Sequence, residues 1–257
     1  MGLTERARCL SVGVVLMVFS ACGSASRTER NQKQVEGPLR HFQLARMYYE
    51  QGKVQESLEE LDRSFKLDAT LPQVHAYLGY VRLEQEQWAE AAKAYRKAIE
   101  LNPYYTDARQ HLAVCLQELG DIPGALDQLE QASRDKTYPF PEQIYFNRAM
   151  VFRHAGQVEE ALKELRRAVG IKPRYYRAHF EMAGLLIELR RNEDALLAYV
   201  AAEPGYTKDA EYHFRYGSAL ARTGDKPQAQ RELRRAMELA PGSEIAAQAS
   251  NLLGTLG

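Results

Sequence analysis

The sequence predicts an all-α solenoid of six helical hairpins, closed by a C-terminal helix. Three observations support this prediction. A pattern of small and large residues recurs every 34 residues, glycines punctuate the middle of the repeating unit, and prolines end several of the units. Periods of about 20 to 50 residues are typical of proteins in which each unit stacks on its neighbours.

The stretch 72–105 displays the repeating unit most completely. Gly79 and Ala91 occupy its eighth and twentieth places, where small side chains let two helices approach closely, and Tyr95 fills the seam between them. Pro103 ends the second helix because proline has no N–H and its ring clashes with the preceding turn. The spacing is that of the tetratricopeptide repeat, and this resemblance implies a right-handed superhelical solenoid in which each repeat contributes helices A and B.

The composition is that of an ordinary globular protein, with 257 residues, 45% hydrophobic and 26% charged. The 34 basic and 34 acidic side chains balance, which argues against a nucleic-acid partner because phosphate binding needs a basic surface. The three cysteines, Cys9, Cys22 and Cys115, form no CxxC pair, so we expect neither a disulfide framework nor a zinc cluster.

The N-terminus has the pattern of a bacterial secretory signal. Residues 1–21 place Arg6 and Arg8 before an apolar run at 9–19. This run is too short for a membrane-spanning helix, which needs about 20 residues. We therefore predict a signal peptide over residues 1–21 rather than a permanent transmembrane helix.

The residues that end this signal, FSAC at 19–22, resemble the lipobox of bacterial lipoproteins, although Phe19 replaces the usual leucine. The resemblance implies that Cys22 carries a covalent lipid, and no other cofactor is expected. Gly23 and Ser24 follow, without an aspartate after the cysteine, which in such lipoproteins implies an outer-membrane anchor facing the periplasm. The alternative is cleavage by an ordinary signal peptidase, with Cys22 incidental.

Residues 22–37 combine this cysteine with a polar segment, predicted to be a flexible tether because it has little apolar surface to bury. Six repeats follow at 38–71, 72–105, 106–139, 142–175, 176–209 and 210–243, and residues 244–257 are predicted to form a capping helix. All twelve residues at the eighth and twentieth places are small. They are Ala45, Gly79, Ala113, Ala149, Ala183 and Gly217, then Ser57, Ala91, Ala125, Ala161, Ala195 and Ala229.

Two irregularities interrupt the repeats. Pro204 and Gly205 are expected to shorten helix B of the fifth repeat by about a turn. Two extra residues within 137–141 separate the third and fourth repeats, and prolines there favour extended backbone. This insertion is either a hinge between two halves of the solenoid or a harmless lengthening of a loop.

Catalytic and metal-binding motifs are not found, so we predict that the chain is not an enzyme and has no small-molecule substrate. Four histidines share the fourth place of their repeats: His41, His75, His179 and His213. Neighbouring A helices are about 10 Å apart, whereas a shared zinc ion needs each nitrogen at about 2 Å. We interpret these histidines as replacements for a packing aromatic, and Cys115 as a small hydrophobic residue.

Helix A is predicted to line a groove that binds a protein segment, through places two, five, nine and twelve. Apolar residues dominate these places, with Arg46, Arg153 and Arg177 among them, which suits an extended or helical peptide. Each aromatic at place five has the alternative of packing within the repeats. The predicted groove residues are Phe42, Tyr49, Tyr80, Leu83, Val114, Phe146, Met150, Phe180, Ile187 and Phe214.

The combination of export signal, lipobox-like cysteine, tether and six repeats resembles the pilotin lipoproteins of type IV pilus systems, the PilF, PilW and Tgl class. That resemblance implies an outer-membrane lipoprotein whose partners are secretin subunits, which it helps to localise and assemble into multimers. Only Cys22 corresponds residue by residue to a functional position of the class. The alternative is a repeat lipoprotein that serves as an adaptor for β-barrel assembly or for murein hydrolases.

Overall fold

The computed structural model describes residues 37–256, in which the regular structure is helical throughout, with no β-strand. The predicted all-α repeat fold is confirmed. The predicted signal peptide, Cys22 and the tether up to residue 36 lie outside the described residues. Within the described range, no helix combines the length and apolar character needed to cross a membrane. The chain divides into two compact units, the first ending at Val74 and the second beginning at His75.

The first unit contains one helical hairpin, formed by α1 (residues 37–50) and α2 (Val54–Leu67). Leu61 is buried at the centre of this hairpin. The Ser64 hydroxyl donates a 2.8 Å hydrogen bond to the Pro38 carbonyl, which ties the end of α2 to the start of α1. His41 adds a second link through its contact with Glu60.

The second unit contains alternating A and B helices that pack in succession from α4 to α13. The odd-numbered helices up to α11 are helices A, the even-numbered ones are helices B, and α3 begins at the end of the first unit. The helices are α3 (Pro72–Glu84), α4 (Trp88–Leu101), α5 (Thr106–Glu118), α6 (Ile122–Ser133), α7 (Pro141–His154), α8 (Val158–Ile171), α9 (Tyr176–Glu188), α10 (Asn192–Ala202), α11 (Ala210–Thr223), α12 (Lys226–Leu239) and α13 (Glu244–Leu256).

Small residues at the eighth and twentieth places bring each A helix close to its B helix. A Cβ added at Gly79 would lie 3.0 Å from the Tyr95 ring, and one at Gly217 would lie 2.9 Å from Leu233 Cγ. The alanines at these places in the intervening repeats are fully buried. The predicted reason for the small residues, close contact between helices, is therefore confirmed.

In every repeat of the second unit, the residue at place fifteen, in the turn between helices A and B, has a left-handed backbone conformation. Gly120 and Gly224 have φ values of 82° and 88°, in the region that glycine adopts without steric cost. Glu86 and Arg190 stand at the same place and have φ values of 58° and 57°. The turn geometry is thus kept where the sequence does not supply glycine.

The insertion between the third and fourth repeats is fixed to the start of α5. The Asp135 carboxylate accepts hydrogen bonds from the Thr106 hydroxyl at 2.7 Å and from the Thr137 amide at 3.0 Å. The Tyr138 hydroxyl donates to the Asp107 carboxylate at 2.7 Å. Burial, followed by this bond to Asp107, raises the pKa of Tyr138 to about 12. These contacts favour the fixed loop over the hinge.

Helix B of the fifth repeat is shortened, as the sequence predicted. Helix α10 has 11 residues, whereas α8 and α12 have 14 each, and a 3-10 turn at Glu203–Gly205 replaces its last turn. Gly205 lies directly against Tyr176, where an added Cβ would approach the Tyr176 Cβ to 2.6 Å. The shorter helix makes room for Tyr206, whose ring stacks 5.7 Å from that of Tyr212.

The C-terminal helix α13 covers the last hairpin. Ser243 caps its start by accepting a 3.2 Å hydrogen bond from the Ala246 amide, as the sequence predicted. Ala249 is buried with Leu233 and Ala236 of α12, and Leu252 packs against the same cluster. Helix α13 therefore covers the apolar surface of the last hairpin.

Two buried tyrosines provide a test of how the core is stabilised. The Tyr95 hydroxyl is buried without a hydrogen-bond partner among the described residues, whereas the Tyr212 hydroxyl donates to the Tyr199 carbonyl at 2.9 Å. We expect Tyr95→Phe to leave the free energy of unfolding unchanged or raise it by up to about 1 kcal/mol, and Tyr212→Phe to lower it by about 1 kcal/mol. Urea denaturation followed by circular dichroism measures both, and a larger loss for Tyr95→Phe would contradict this account.

Candidate functional site

The helices A of the second unit expose a surface on the side opposite their B helices, which we call the A-helix surface. On α9, Ala183 and Leu186 are buried, whereas Phe180, Gly184 and Ile187 form a half-buried stripe at helical spacing. The corresponding half-buried residues on the preceding A helices are Tyr80, Leu83, Val114 and Met150. The surface therefore carries one or two apolar side chains from each of several successive repeats.

Polar side chains bridge neighbouring A helices beneath and beside this surface. The Asn147 amide on α7 donates a 3.0 Å hydrogen bond to the Gln110 side-chain oxygen on α5. Arg153 on α7 forms an ion pair with Glu181 on α9. These bridges fix the spacing of successive A helices and place a cation and a carboxylate beside the apolar stripe.

Arginines also cover aromatic rings between neighbouring A helices. The Arg177 guanidinium lies 4.7 Å from the centre of the Phe146 ring, and that of Arg215 lies 5.4 Å from the centre of the Phe180 ring. Such cation–π contacts contribute about 0.5–1 kcal/mol at exposed sites. They hold the aromatic residues of place five against the following repeat.

The structure corrects the prediction for Phe146, which is only 2% exposed and packs against Tyr175 with ring centres 5.4 Å apart. Phe146 is thus a core residue and not part of an exposed groove. Phe180 is half-buried, with its ring centre 4.8 Å from that of Tyr206, and Phe214 packs against the cluster under α13. Place five points toward the next repeat, and the packing alternative accounts for Phe146. Phe180 and Phe214 keep part of their surface exposed, and their role in binding stays a prediction.

In the first unit, the two predicted groove residues are half-buried on α1. Phe42 and Tyr49 are separated by seven residues, or about two helical turns, and so lie on one side of the helix. Their role in binding stays a prediction.

Sequence reasoning did not identify Gly184 as part of the site. It stands at place nine of the fifth repeat, the place that Tyr80, Val114 and Met150 occupy in earlier repeats. A Cβ added at Gly184 would meet no atom within 4 Å. The A-helix surface is therefore open at Gly184, one helical turn from Phe180, and the glycine at place nine was the available signal.

The histidines and the internal cysteine have structural partners. His213 lies between the Glu232 carboxylate, 2.7 Å from its Nδ1, and the Thr207 carbonyl, 3.2 Å from its Nε2. Residues 37–256 contain no group of three or more His, Cys, Asp or Glu side chains that could hold a metal ion. Cys115 is fully buried, as predicted, and burial raises the pKa of its thiol to about 12, so it stays protonated at neutral pH.

Comparisons with known proteins agree with this architecture. Family models of the tetratricopeptide repeat match residues 42–106 and 112–176, residues 82–137 and 152–214, and residues 210–243. No curated protein matches the chain.

Solved structures show the same fold. PilF of Pseudomonas aeruginosa has a TM-score of 0.73 and 20% identity, with 86% of this chain and 99% of that chain covered. PilW, described as a widely conserved type IV pilus biogenesis factor, has a TM-score of 0.74 and 17% identity, with 84% and 98% covered. YrrB, described as a repeat protein with an unusual peptide-binding site, has a TM-score of 0.55 and 18% identity, with 74% and 97% covered. The resemblance to PilF and PilW inferred from the sequence is thus confirmed for the fold.

The corrected role of Phe146 can be tested against its neighbour Met150, one turn along α7. We expect Phe146→Ala to lower the free energy of unfolding by about 3–5 kcal/mol because it leaves a cavity in the core. Met150→Ala should cost about 1 kcal/mol, since the side chain is only half-buried. Urea denaturation compares the two variants, and equal losses would contradict the assignment of Phe146 to the core.

Proposed function

Since the chain belongs to the tetratricopeptide repeat family, we propose that it acts by binding a protein partner and carries out no chemistry of its own. More specifically, it is a pilotin that localises secretin subunits of a type IV pilus machine at the outer membrane. It faces the periplasm, is anchored by a lipid on Cys22, and promotes assembly of the secretin multimer.

The observation that carries this proposal is the extent of the likeness to two type IV pilus proteins. Nearly the whole of PilF and PilW, 99% and 98% of their chains, aligns with more than four fifths of this chain. A repeat protein from Cytophaga hutchinsonii also covers 89% of this chain, but its TM-score is 0.62, against 0.73 and 0.74 for PilF and PilW. The closer match over the full array of repeats supports a shared way of presenting the binding surface.

Three parts of the chain contribute to the proposed mechanism. The acyl chains on Cys22 hold the protein at the membrane, since each buried methylene contributes about 0.8 kcal/mol. The segment 23–36 supplies reach between this anchor and the first repeat. The A-helix surface binds a segment of the secretin subunit before that segment aggregates or pairs incorrectly.

The A-helix surface suits a peptide with spaced apolar side chains. Val114, Met150 and Ile187 are half-buried on successive A helices and would lose their remaining contact with water on binding. Arg153 and Glu181 lie beside them and can hydrogen bond the polar groups of the peptide. The opening at Gly184 would accept one larger side chain of the bound segment.

The opening at Gly184 allows a test that leaves the fold intact. Gly184→Leu should fill the opening and strongly reduce the amount of secretin crosslinked to the protein in cells, as measured by mass spectrometry. The variant should remain folded, because the new side chain enters open space and leucine favours a helix over glycine by about 1 kcal/mol.

Gly170→Leu is the matched control. Gly170 is also helical with open space around it, but it lies near the end of α8, a B helix, away from the A-helix surface. Both variants should therefore gain helix stability, and only Gly184→Leu should lose secretin. Unchanged crosslinking of secretin in Gly184→Leu would show that this part of the A-helix surface does not bind it. Crosslinking to barrel-assembly proteins or murein hydrolases instead of secretin would identify those proteins as the clients.

The lipid anchor can be tested separately from the binding surface. Cys22→Ala should give a folded protein that is released from membranes, and secretin multimers should fall sharply on immunoblots of outer-membrane fractions. Cys9→Ala removes a thiol from the predicted signal and should change neither result. Normal multimers in Cys22→Ala cells would show that anchoring is not needed.

A further inference from the structure

The B helices expose a second surface, on the side that faces away from the A helices. Places 22, 25 and 26 of each repeat lie on this side, opposite the buried places 20, 24 and 27. We call these three places the outward stripe. In five of the six repeats the outward stripe carries only charged or amide side chains. They are Glu59, Asp62 and Arg63; Lys93, Arg96 and Lys97; Asp127, Glu130 and Gln131; Lys163, Arg166 and Arg167; and Arg231, Arg234 and Arg235.

The fifth repeat is the exception. Its outward stripe consists of Leu197, Val200 and Ala201 on α10. Leu197 is 71% exposed and Val200 is 52% exposed, although large apolar side chains are normally buried. Helix α10 has no charged residue after Asp194. Its outer face is thus apolar where the other B helices are polar.

The repeats on either side of α10 are basic at the same three places. The six exposed side chains are Lys163, Arg166 and Arg167 on α8 and Arg231, Arg234 and Arg235 on α12. Because helices α8 to α12 pack in succession, the apolar stripe of α10 lies between two basic stripes.

Half of these basic side chains are unpaired. Among the described residues, Arg166, Arg231 and Arg234 form no ion pair, and the other three form ion pairs only with carboxylates on their own helices. Arg167 also lies 6.0 Å from the centre of the Tyr145 ring on α7. Ion pairs between exposed side chains contribute about 0–1 kcal/mol, so an external anion competes with them easily. An apolar centre with positive charge on both sides is therefore complementary to an anionic partner that has an apolar interior.

We infer that the outward stripes of α8, α10 and α12 form a membrane-contact face that binds a bilayer containing anionic lipids. The basic side chains contact lipid phosphates, while Leu197 and Val200 insert between the headgroups. A bilayer supplies negative charge on all sides of a small apolar contact, which is the complement of this pattern. A stable protein partner would need an interface of about 800 Å² on each side, with a larger apolar centre than two side chains provide.

This inference does not rest on the pilotin proposal. A lipid on Cys22 would keep the chain near the membrane, but fourteen intervening residues, 23–36, would leave its orientation open. Contact through the B helices would turn the A-helix surface away from the bilayer, because the two surfaces are on opposite sides of each hairpin.

The test places a fluorophore at the apolar centre of the face in the full-length protein. Leu197→Cys is labelled with an environment-sensitive dye, and the protein is mixed with vesicles of phosphatidylethanolamine and phosphatidylglycerol whose acyl chains are brominated. Lys93→Cys, at the same place of the second repeat, is the matched control. Cys115 is fully buried and does not react, and the unsubstituted protein gives the background from Cys9 and Cys22.

We expect a blue shift and quenching for the dye at position 197 and neither for the dye at position 93. With vesicles of phosphatidylcholine alone, the difference in blue shift and quenching between positions 197 and 93 should disappear. The combined substitutions Arg166→Glu and Arg234→Glu should also abolish this difference. Arg96→Glu combined with Lys97→Glu, on α4, should leave it unchanged, and circular dichroism checks that all variants are folded.

Equal quenching at the two positions would overturn the inference. Quenching at position 197 that persists in phosphatidylcholine or after the charge reversal would also overturn it, since the basic stripes would then play no part. Protection of position 197 only when cell-envelope proteins are added would assign the face to a protein partner instead.

Discussion

The close approach of helices A and B is the constraint on which the other features depend. Glycine or alanine at places eight and twenty brings the helices of the second unit into direct contact, with only 3.0 Å between the site of a Gly79 Cβ and the Tyr95 ring. This contact commits one side of every helix to the core. The sides that remain exposed form the A-helix surface on the A helices and the outward stripes on the B helices. Both surfaces therefore follow from the same packing.

The helical framework could be predicted from the sequence because local rules determine it. Glycine at the turn and proline at the helix ends act within a few residues, and α5, α9 and α11 begin at the first residues of their predicted repeats. Local rules could not predict whether the insertion at 137–141 is a hinge or a fixed loop. Whether it bends depends on bonds from Asp135 to Thr106 and from Tyr138 to Asp107, which join residues about thirty positions apart.

The binding surface was harder to predict than the fold. Phenylalanine at place five satisfies both a packing and a binding interpretation, and only the neighbouring repeat decides between them. Tyr175 and Arg177 bury Phe146, whereas Met150, one turn later on the same helix, stays half-exposed. Differences between repeats are more informative than their common pattern: Gly184 and Leu197 both depart from it, and both lie in the fifth repeat.

If the chain is exported, as proposed, the burial of Cys115 has a consequence in the compartment that receives it. An oxidising compartment joins accessible thiols at random, and incorrect cross-links between newly translocated chains must then be repaired. Cys115 is sealed in the core of the third repeat, and if Cys22 carries a lipid its sulfur is already in a thioether. The mature chain would then have no accessible thiol to exchange, and it would not become covalently linked to folding client proteins.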